Sequence, residues 1–582
     1  MKIKIKYRLI YILILLLVTA SIYFNALQNS FVYDDDGTIV SNNFVKNWGN
    51  ASKIFTPNYF SLSSELSYRP MVTLSYFLDY SIWQLNPFGY HLTNLLFHIA
   101  NTILIYYLLS LILRSRTIPL FTALLFATNP IQTEAVNAIS FREDLMAMCF
   151  FLLSLLLYAK SSVSESDPTK APDLMRGLTP LPKKNSYYIA ALFTFTLALF
   201  SKEMAVTLPL VIILYDLCFT QSKDRTKVIY KQGIYYLGFF LVLALYLFGR
   251  FFIFSNPSGS SDYFGGSIYL TFLTMFKVFA LYLRLLLLPI NLCADYVVKV
   301  SLSPFEPLVA VGMGLVIIIL IIGFKLYKWE RSPELESSRL VSFALLYFFI
   351  TLLPVSNIIP LGIPMAERYL YMPSLGFCIV LGVILAKISQ LKIGGVGSDP
   401  TKAPTLMWGL TPLKSASILS LILLLLFYSI TTINRNKIWA NNFVLWEETV
   451  KNSPDSSRAY NNRGNAYGKK GQYDQAIKDF NRAIELKPDD ALAYNNRGNA
   501  YQYKGEYDQA IKDISRAIEL KPDYALAYNN RGYTYGEKRE YDLAIKDFNR
   551  AIKLKPDFAE AYYNREIAYE KKSEYDGIKR DF

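Results

Sequence analysis

The stretch FVYDDDGTIVSN, Phe31–Asn42, sets Asp34, Asp35 and Asp36 side by side just after an apolar run at 9–26. A block of carboxylates in that place has two uses. It can keep a loop solvated, or it can do acid–base chemistry at a membrane surface. Other ionisable residues gather where apolar runs end. NPIQTEAVNAISFRED holds Glu134, Arg142 and Asp144, SKEM holds Lys202 and Glu203, and MAERYLYMPS holds Glu367, Arg368 and Tyr369. Charges so close to apolar spans are costly unless they are paired or functional. They read either as structural salt bridges or as the lining of a cavity rich in carboxylates and cations. In HLTNLLFHIAN, the residues His91, Asn94, His98 and Asn101 share one helix face. They include both histidines of the chain. Polar side chains in a spanning helix face a partner helix or a wet cavity, so hydrogen bonding between helices and lining of the cavity both stand. A metal pair is not expected, because no third ligand follows at a matching spacing.

The elements that must position these residues are membrane helices. Of the 582 residues 53% are hydrophobic and only 18% are charged, against roughly one quarter charged in a soluble domain. The deficit is uneven. Residues 1–433 carry repeated apolar runs of about 16–22 residues, the length of a bilayer span, whereas 434–582 is polar. The runs lie near 9–26, 92–113, 117–129, 143–159, 187–200, 203–220, 233–254, 308–324, 338–356, 370–389 and 415–433. A twelfth, 268–289, is interrupted by Lys277 and Arg284. If it lies along the outer surface, the Lys/Arg-rich connections all fall inside: Lys2 to Arg8, Arg114/Arg116, Lys183/Lys184, Lys223 to Lys227 and Lys325 to Arg331. Eleven spans, with the N-terminus in the cytoplasm and the C-terminus outside, then satisfy the positive-inside rule. The net charge of +14 is explained by these loops, and nucleic acid is not an expected partner. The basic head and apolar body of the first segment also fit a cleaved signal peptide, but no convincing small-x-small site follows, so an uncleaved first helix is expected. Cys149, Cys218, Cys293 and Cys378 sit in or beside apolar segments without metal-ligand spacing and read as small core residues.

Two connections share SDPTKAPDLMRGLTPL (166–181) and SDPTKAPTLMWGLTPL (398–413), identical at 14 of 16 positions. Proline and glycine speak against a regular element there. The twins read as insertions tolerated by loops rather than a functional motif. After a linker with a degenerate half-repeat at 434–454, residues 455–582 repeat with a period of 34. Tyr460, Gly464, Tyr467, Ala476, Phe480, Ala483 and Pro488 take tetratricopeptide positions, and three full copies precede a partial fourth. Glu566 and Gly577 depart from the pattern, so the fourth is expected to cap the stack. Asn461, Asn495 and Asn529 recur on the first helix of each repeat. Their carboxamides suit a peptide backbone of any sequence, and mere solvation is the plainer alternative.

The expected fold is therefore all-α: a polytopic helical membrane domain followed by a tetratricopeptide α-solenoid. FVYDDDGTIVSNNFV, SYRPMVTLSYFLDYSIWQLNPFGYHLTNLLFHIAN, NPIQTEAVNAISFREDLMA, SKEMAVTLPLVIILYDL and AERYLYMPS together resemble the transmembrane and tetratricopeptide-repeat O-mannosyltransferases. The resemblance runs along nearly the whole chain apart from the twin inserts. It implies the C-type membrane glycosyltransferase fold, a polyprenyl-phosphate-linked sugar donor and action on the outer side of a membrane, for a bacterial relative the inner one. The family pattern falls on Asp34 and Asp35 as catalytic carboxylates, with Asp36 at a variable position. Such a carboxylate takes the acceptor hydroxyl's proton, and direct attack inverts the anomeric centre. Arg142, Lys202 or Arg368 would then hold the lipid phosphate, within a set of substrate-binding candidates that also takes in His91, His98, Glu134, Asp144, Glu203, Glu367 and Tyr369. The repeats would recruit a polypeptide, and a carboxylate pair by itself does not demand a divalent cation. A repeat-bearing membrane scaffold without catalysis is the alternative, although an anchor needs only one span. A transporter would prefer charges near the bilayer midplane.

Overall fold

The computed structural model describes residues 2–57, 59–63, 67–163, 184–220, 225–254, 262–328, 335–388 and 412–581. Among them every regular element is helical. Backbone groups in hydrocarbon have no water to bond, so each apolar run closes its hydrogen bonds within itself as a helix. Among the described residues eight helical segments are long and apolar enough to cross a membrane: Tyr7–Gln28, Pro87–Ile112, Ile139–Ser162, Gln232–Ile253, Ile268–Leu287, Pro307–Tyr327, Glu336–Val355 and Ile418–Ile438. Thr117–Thr128, Asn185–Leu199 and Ser374–Ile388 are shorter apolar helices. Ile268–Leu287, set aside above as a surface helix, meets the length and composition of a span. The twin segments 166–181 and 398–413 lie outside the described residues, except for Pro412 and Leu413.

Contacts divide the chain into two units. The first is Met1–Leu292 with Val298–Asn441, and the second is Cys293–Val297 with Asn442–Phe582. The boundary falls inside the stretch read as a linker. Its first residues continue the helix Pro412–Ile438, and Asn442–Asn452 forms a helix that buries Trp446. No disulfide joins any of the four cysteines, and Cys218, Cys293 and Cys378 are buried.

In the first unit the segment between the first and second long apolar helices is packed rather than loose. Tyr59, Tyr68, Tyr76, Phe77 and Tyr90 are at most 2% exposed and form one cluster with Ile139 and Met146. Tyr68 stacks on Phe254 with centroids 4.1 Å apart, and such pairs add about 0.5–1.5 kcal/mol beyond the area they bury. The helix Pro87–Ile112 starts where it does because the Asn86 side chain accepts the Phe88 N–H at 3.1 Å and Pro87 follows with a preset φ. Gly89 lies against the Trp83 ring with no room for a β-carbon. This cluster makes a rigid floor for the polar residues above it.

The second unit builds each repeat from two helices, beginning with Ser457–Lys469 and Tyr473–Leu486. A β-carbon at Gly464 would come within 2.7 Å of the Phe480 ring, which explains the pairing of a small residue with an aromatic across the seam. The turn between helices needs a left-handed residue. Gly471 (φ 73°) and Gly505 (φ 79°) supply it in two repeats, and Arg539 (φ 65°) in the third. In the fourth copy the chain does not turn: Ala559–Asp581 is one continuous helix.

Candidate active site

The aspartate loop leaves the first membrane helix through a 3₁₀ turn, Phe24–Gln28. Tyr33 then takes φ 58°, a left-handed conformation that costs a bulky residue about 1–2 kcal/mol. Such strain persists only where surroundings enforce it. Here the Tyr33 ring meets Phe141 edge-on at 5.3 Å and Trp439 at 6.5 Å. Beyond this bend the aspartates part company. Asp34 and Asp36 are exposed, whereas Asp35 is 0% exposed. Asp35 Oδ2 accepts the Val32 N–H at 3.0 Å and Oδ1 accepts the Ser140 N–H at 2.7 Å. Burial pushes the Asp35 carboxyl up to about 6, against the lowering effect of those amides.

Ser140 belongs to a run of short turns, Pro130–Gln132, Thr133–Asn137 and Ile139–Phe141, that leads into the helix Arg142–Val163. Broken backbone lets successive side chains aim in different directions. Glu134 pairs with Arg368 and also accepts the Arg368 backbone N–H at 2.9 Å. The Arg368 guanidinium lies 4.0 Å from the Phe141 ring centroid, a cation–π contact on the ring that also braces Tyr33. Asp144 and Glu143 both face Lys202, at 2.6 and 3.1 Å. Burial disfavours the Lys202 ammonium, but Asp144 and Glu143 outweigh it and hold its pKa above the ordinary lysine value. Lys202 also lies 5.9 Å from the Tyr369 ring centroid.

From Glu143 the chain of charges continues outward. Arg69 bridges Glu143 and Glu203, the latter at 3.2 Å, and Arg250 binds Glu203 at 2.6 Å. The side chains of Arg69 and Glu203 are 23% and 30% exposed, so this edge of the network is the open one. Glu367 pairs with Arg435 at 3.2 Å, and Arg435 donates to the Leu292 carbonyl at 2.7 Å. The structure thus joins Asp35, Glu134, Asp144, Lys202, Glu203, Arg368 and Tyr369 into one neighbourhood, drawn from separate connections between helices.

Two candidates are tied into the scaffold instead. Arg142 is fully buried and each of its three nitrogens is engaged: Nε donates to Asn94 Oδ1 (2.7 Å), Nη1 to Ser75 Oγ (2.9 Å) and Nη2 to the Tyr90 carbonyl (3.0 Å), with Asp79 as its ion-pair partner at 2.6 Å. His98 Nε2 lies 3.3 Å from the Ala127 carbonyl, so that nitrogen carries the proton and Nδ1 accepts the Tyr371 hydroxyl at 2.8 Å. His91 is also buried, at 2% exposure, but among the described residues neither of its ring nitrogens has a hydrogen-bond partner. Asn94 and Asn101 donate to the Val136 and Leu145 carbonyls at 3.2 and 3.0 Å. Asn94, His98 and Asn101 fit the hydrogen-bonding reading of this polar face, and His91 does not.

The asparagine ladder of the repeats also faces inward. Asn461, Asn495 and Asn529 are 2%, 0% and 1% exposed. Their Oδ1 atoms accept from Asn496, Asn530 and Asn564 of the following repeat at 3.0, 3.0 and 3.1 Å. Each carboxamide oxygen thus serves in stacking one repeat on the next, and the burial of all three fits a place between repeats better than an open peptide-binding face.

Arg69, Asp79, Glu143, Arg250 and Arg435 escaped the sequence reading. Asp79, Arg250 and Arg435 are single charges within or beside apolar segments, and the cost rule applied to Glu134 and Arg368 would have found them.

The tetratricopeptide repeat model matches 457–490, 491–524 and 525–558. Protein O-mannosyl-transferase TMTC3 of Mus musculus is 27% identical over 507 residues, covering 81% of this chain and 50% of that protein. Protein O-mannosyl-transferase F38B6.6 of Caenorhabditis elegans is 28% identical over 489 residues, covering 81% and 62%. Protein O-mannosyl-transferase TMTC1 of Homo sapiens is 28% identical over 504 residues, covering 80% and 54%. The chain spans 50–62% of the length of these three relatives. Its homologues are thus transmembrane and tetratricopeptide-repeat protein O-mannosyltransferases. Among solved structures, the first repeat domain of Spaghetti (RPAP3) bound to an HSP90 peptide is 27% identical, covering 20% of this chain and 90% of that one at a TM-score of 0.19. MamA is 30% identical, covering 24% and 75% at a TM-score of 0.21.

Proposed function

We propose that this chain is a multi-pass membrane glycosyltransferase that moves mannose from a polyprenyl-phosphate donor to a protein hydroxyl outside the cytoplasm. The observation that carries the reading is the split of the aspartate loop beside a network of cations. Asp34 is exposed and Asp35 is anchored, and the open edge of the network holds Arg69 and Glu203. The homologues are named protein O-mannosyl-transferases, which supports the same reaction class.

In this reading Asp34 is the general base. Its carboxylate takes the proton of the acceptor hydroxyl as that oxygen attacks the anomeric carbon. The bond from that carbon to the phosphate oxygen breaks, its electron pair stays on the lipid phosphate, and the anomeric configuration inverts. The departing phosphate needs cations that stay charged. Lys202, kept protonated by Asp144 and Glu143, and Arg368 serve that need, with Arg69 at the open edge. Asp35 positions the loop, and Arg142 belongs to the floor. The repeats recruit the polypeptide, and the domain division is 1–433 for catalysis and 455–582 for recruitment. The cell membrane of a bacterium, with the repeats outside, is the proposed location.

The test is mannose transfer by purified protein in vesicles carrying polyprenyl-phosphate mannose, with a peptide acceptor pool. Asp34→Asn should lower transfer by roughly 100-fold or more while donor binding changes little, and Asp36→Asn should be close to neutral. Folded, inserted Asp34→Asn protein working at the normal rate would sink the assignment.

A further inference from the structure

Three fully or almost fully buried asparagines meet beneath the aspartate loop: Asn29, Asn137 and Asn436, at 3%, 0% and 0% exposure. Asn137 Nδ2 donates to the Thr133 carbonyl at 2.9 Å and to Asn436 Oδ1 at 2.8 Å. Asn137 Oδ1 accepts from Asn29 Nδ2 at 3.0 Å, and that amide also donates to the Asn436 carbonyl at 3.1 Å. Asn436 Nδ2 donates to the Ile22 carbonyl at 3.0 Å and to Asn25 Oδ1 at 2.9 Å. Asn25 in turn donates to the Ile433 carbonyl at 2.9 Å. Every side-chain N–H of Asn29, Asn137 and Asn436 is used. Buried amides are tolerated when so satisfied, but satisfaction alone does not explain why three of them converge here.

Their register does. Asn29 lies three residues before Val32, and Asn137 three residues before Ser140. Val32 and Ser140 are the residues whose backbone N–H groups hold the Asp35 carboxylate. The segments 29–32 and 137–140 are therefore fastened at both ends: by the Asn29–Asn137 amide pair at one end, and by Asp35 bridging two amides at the other. Asn436 anchors the first fastening to the end of the helix Pro412–Ile438, and Ser30 N–H donates to the Ala440 carbonyl at 2.9 Å beside it. Between the two fastenings and Asp34 stands Tyr33, in the strained conformation that turns Asp34 outward.

We propose that Asn29, Asn137 and Asn436 are positioning residues, a clamp of uncharged amides that fixes the direction of Asp34 through Asp35. The inference rests on the transferase reading for its effect on rate, but the clamp itself is a property of the folded chain. Because the clamp carries no charge, it reaches the chemistry only through geometry and through the two amides on Asp35. Amide donors lower a carboxyl pKa. Loosening them should raise that of Asp35 further and move the acid limb of the rate profile to higher pH.

The experiment compares Asn137→Ala and Asn436→Ala with the parent protein in vesicles by two measurements. Hydrogen exchange should speed up in peptides spanning 29–35 and 133–141 and stay unchanged in the repeat unit. Mannose transfer should fall by up to about 100-fold, as misplacement of a reacting group does, with KM for the donor unchanged and the acid limb shifted upward. In an Asp35→Asn background the same substitutions should cost much less, since the path runs through Asp35. If Asn137→Ala protein does not accumulate, Asn29→Ala removes a single member at the loop edge and takes its place. Unchanged exchange in 29–35, or losses that simply add to those of Asp35→Asn, would overturn the clamp. Faster exchange in the variants, together with a parent protein that transfers no mannose, would keep the clamp and overturn the transferase reading.

Discussion

Both units hold guanidinium–carboxylate pairs in their interiors, but they distribute them differently. In the repeats Arg463–Asp479, Arg497–Asp513 and Arg531–Asp547 recur with closest contacts of 2.6–2.7 Å, each pair sixteen residues apart and each linking the two helices of one repeat. In the membrane unit Arg368 meets Glu134 across 234 residues, Arg69 meets Glu203 across 134, and Arg435 meets Glu367 across 68. A periodic pair serves the repeat that contains it. Irregular pairs from many segments that gather around one loop have no repeating structural purpose, and that is how perturbed charges at functional sites are arranged. The difference sets a periodic scaffold apart from the proposed site within one chain.

That contrast can be broken most severely at Arg142, which breaks the pattern by being non-periodic and yet structural. Arg142→Ala leaves Asp79 buried beside an empty place, and breaking a buried pair costs about 3–5 kcal/mol. Arg497→Ala, in a pair whose arginine is 19% exposed, should cost only about 1.5–3 kcal/mol. Thermal unfolding of both proteins checks the order. Retained stability with lost donor affinity in Arg142→Ala would return that residue to the phosphate site.

Asp35 gives the next effect, through pH. Its folded-state pKa lies above the ordinary 3.8, at about 6. The stability tied to its protonated form is full below about pH 4 and is lost as pH rises through 6, a decline of about 3 kcal/mol. Asp35→Asn should flatten that part of the stability curve, and a curve unchanged by the substitution would place the titrating group elsewhere. No such feature belongs to the ladder in the repeats. Asn495→Ala strips Asn530 of its acceptor and should cost about 1–3 kcal/mol by denaturant unfolding of the full chain. Weaker peptide binding without loss of stability would restore the ladder as a ligand surface. The smallest effect is expected at Arg539. Arg539→Gly relieves the left-handed turn that glycine fills in the other repeats, and should stabilise that repeat by up to about 1 kcal/mol. A lowered melting temperature would show that the arginine makes a compensating contact.

Much of this protein could be read before any coordinates. Hydropathy runs become helices because hydrocarbon offers the backbone no other partner. The 34-residue period becomes a stack because each repeat needs its neighbour to bury its face. These are local or periodic properties, and a chain states them locally. The site is different. Asp34, Asp35 and Asp36 are indistinguishable as letters, and only the bend at Tyr33 (φ 58°) and the amides of Val32 and Ser140 give them separate surroundings. Arg142 and Arg368 look alike beside apolar runs, yet the first is walled in by Asn94, Ser75, Tyr90 and Asp79 while the second lies on Phe141 beside Tyr33. Residue types set what chemistry was available. Which carboxylate is exposed, which cation is spent and which asparagines close into a clamp were decided by tertiary packing, because each depends on groups brought from distant segments to within about 3 Å, the reach of a hydrogen bond.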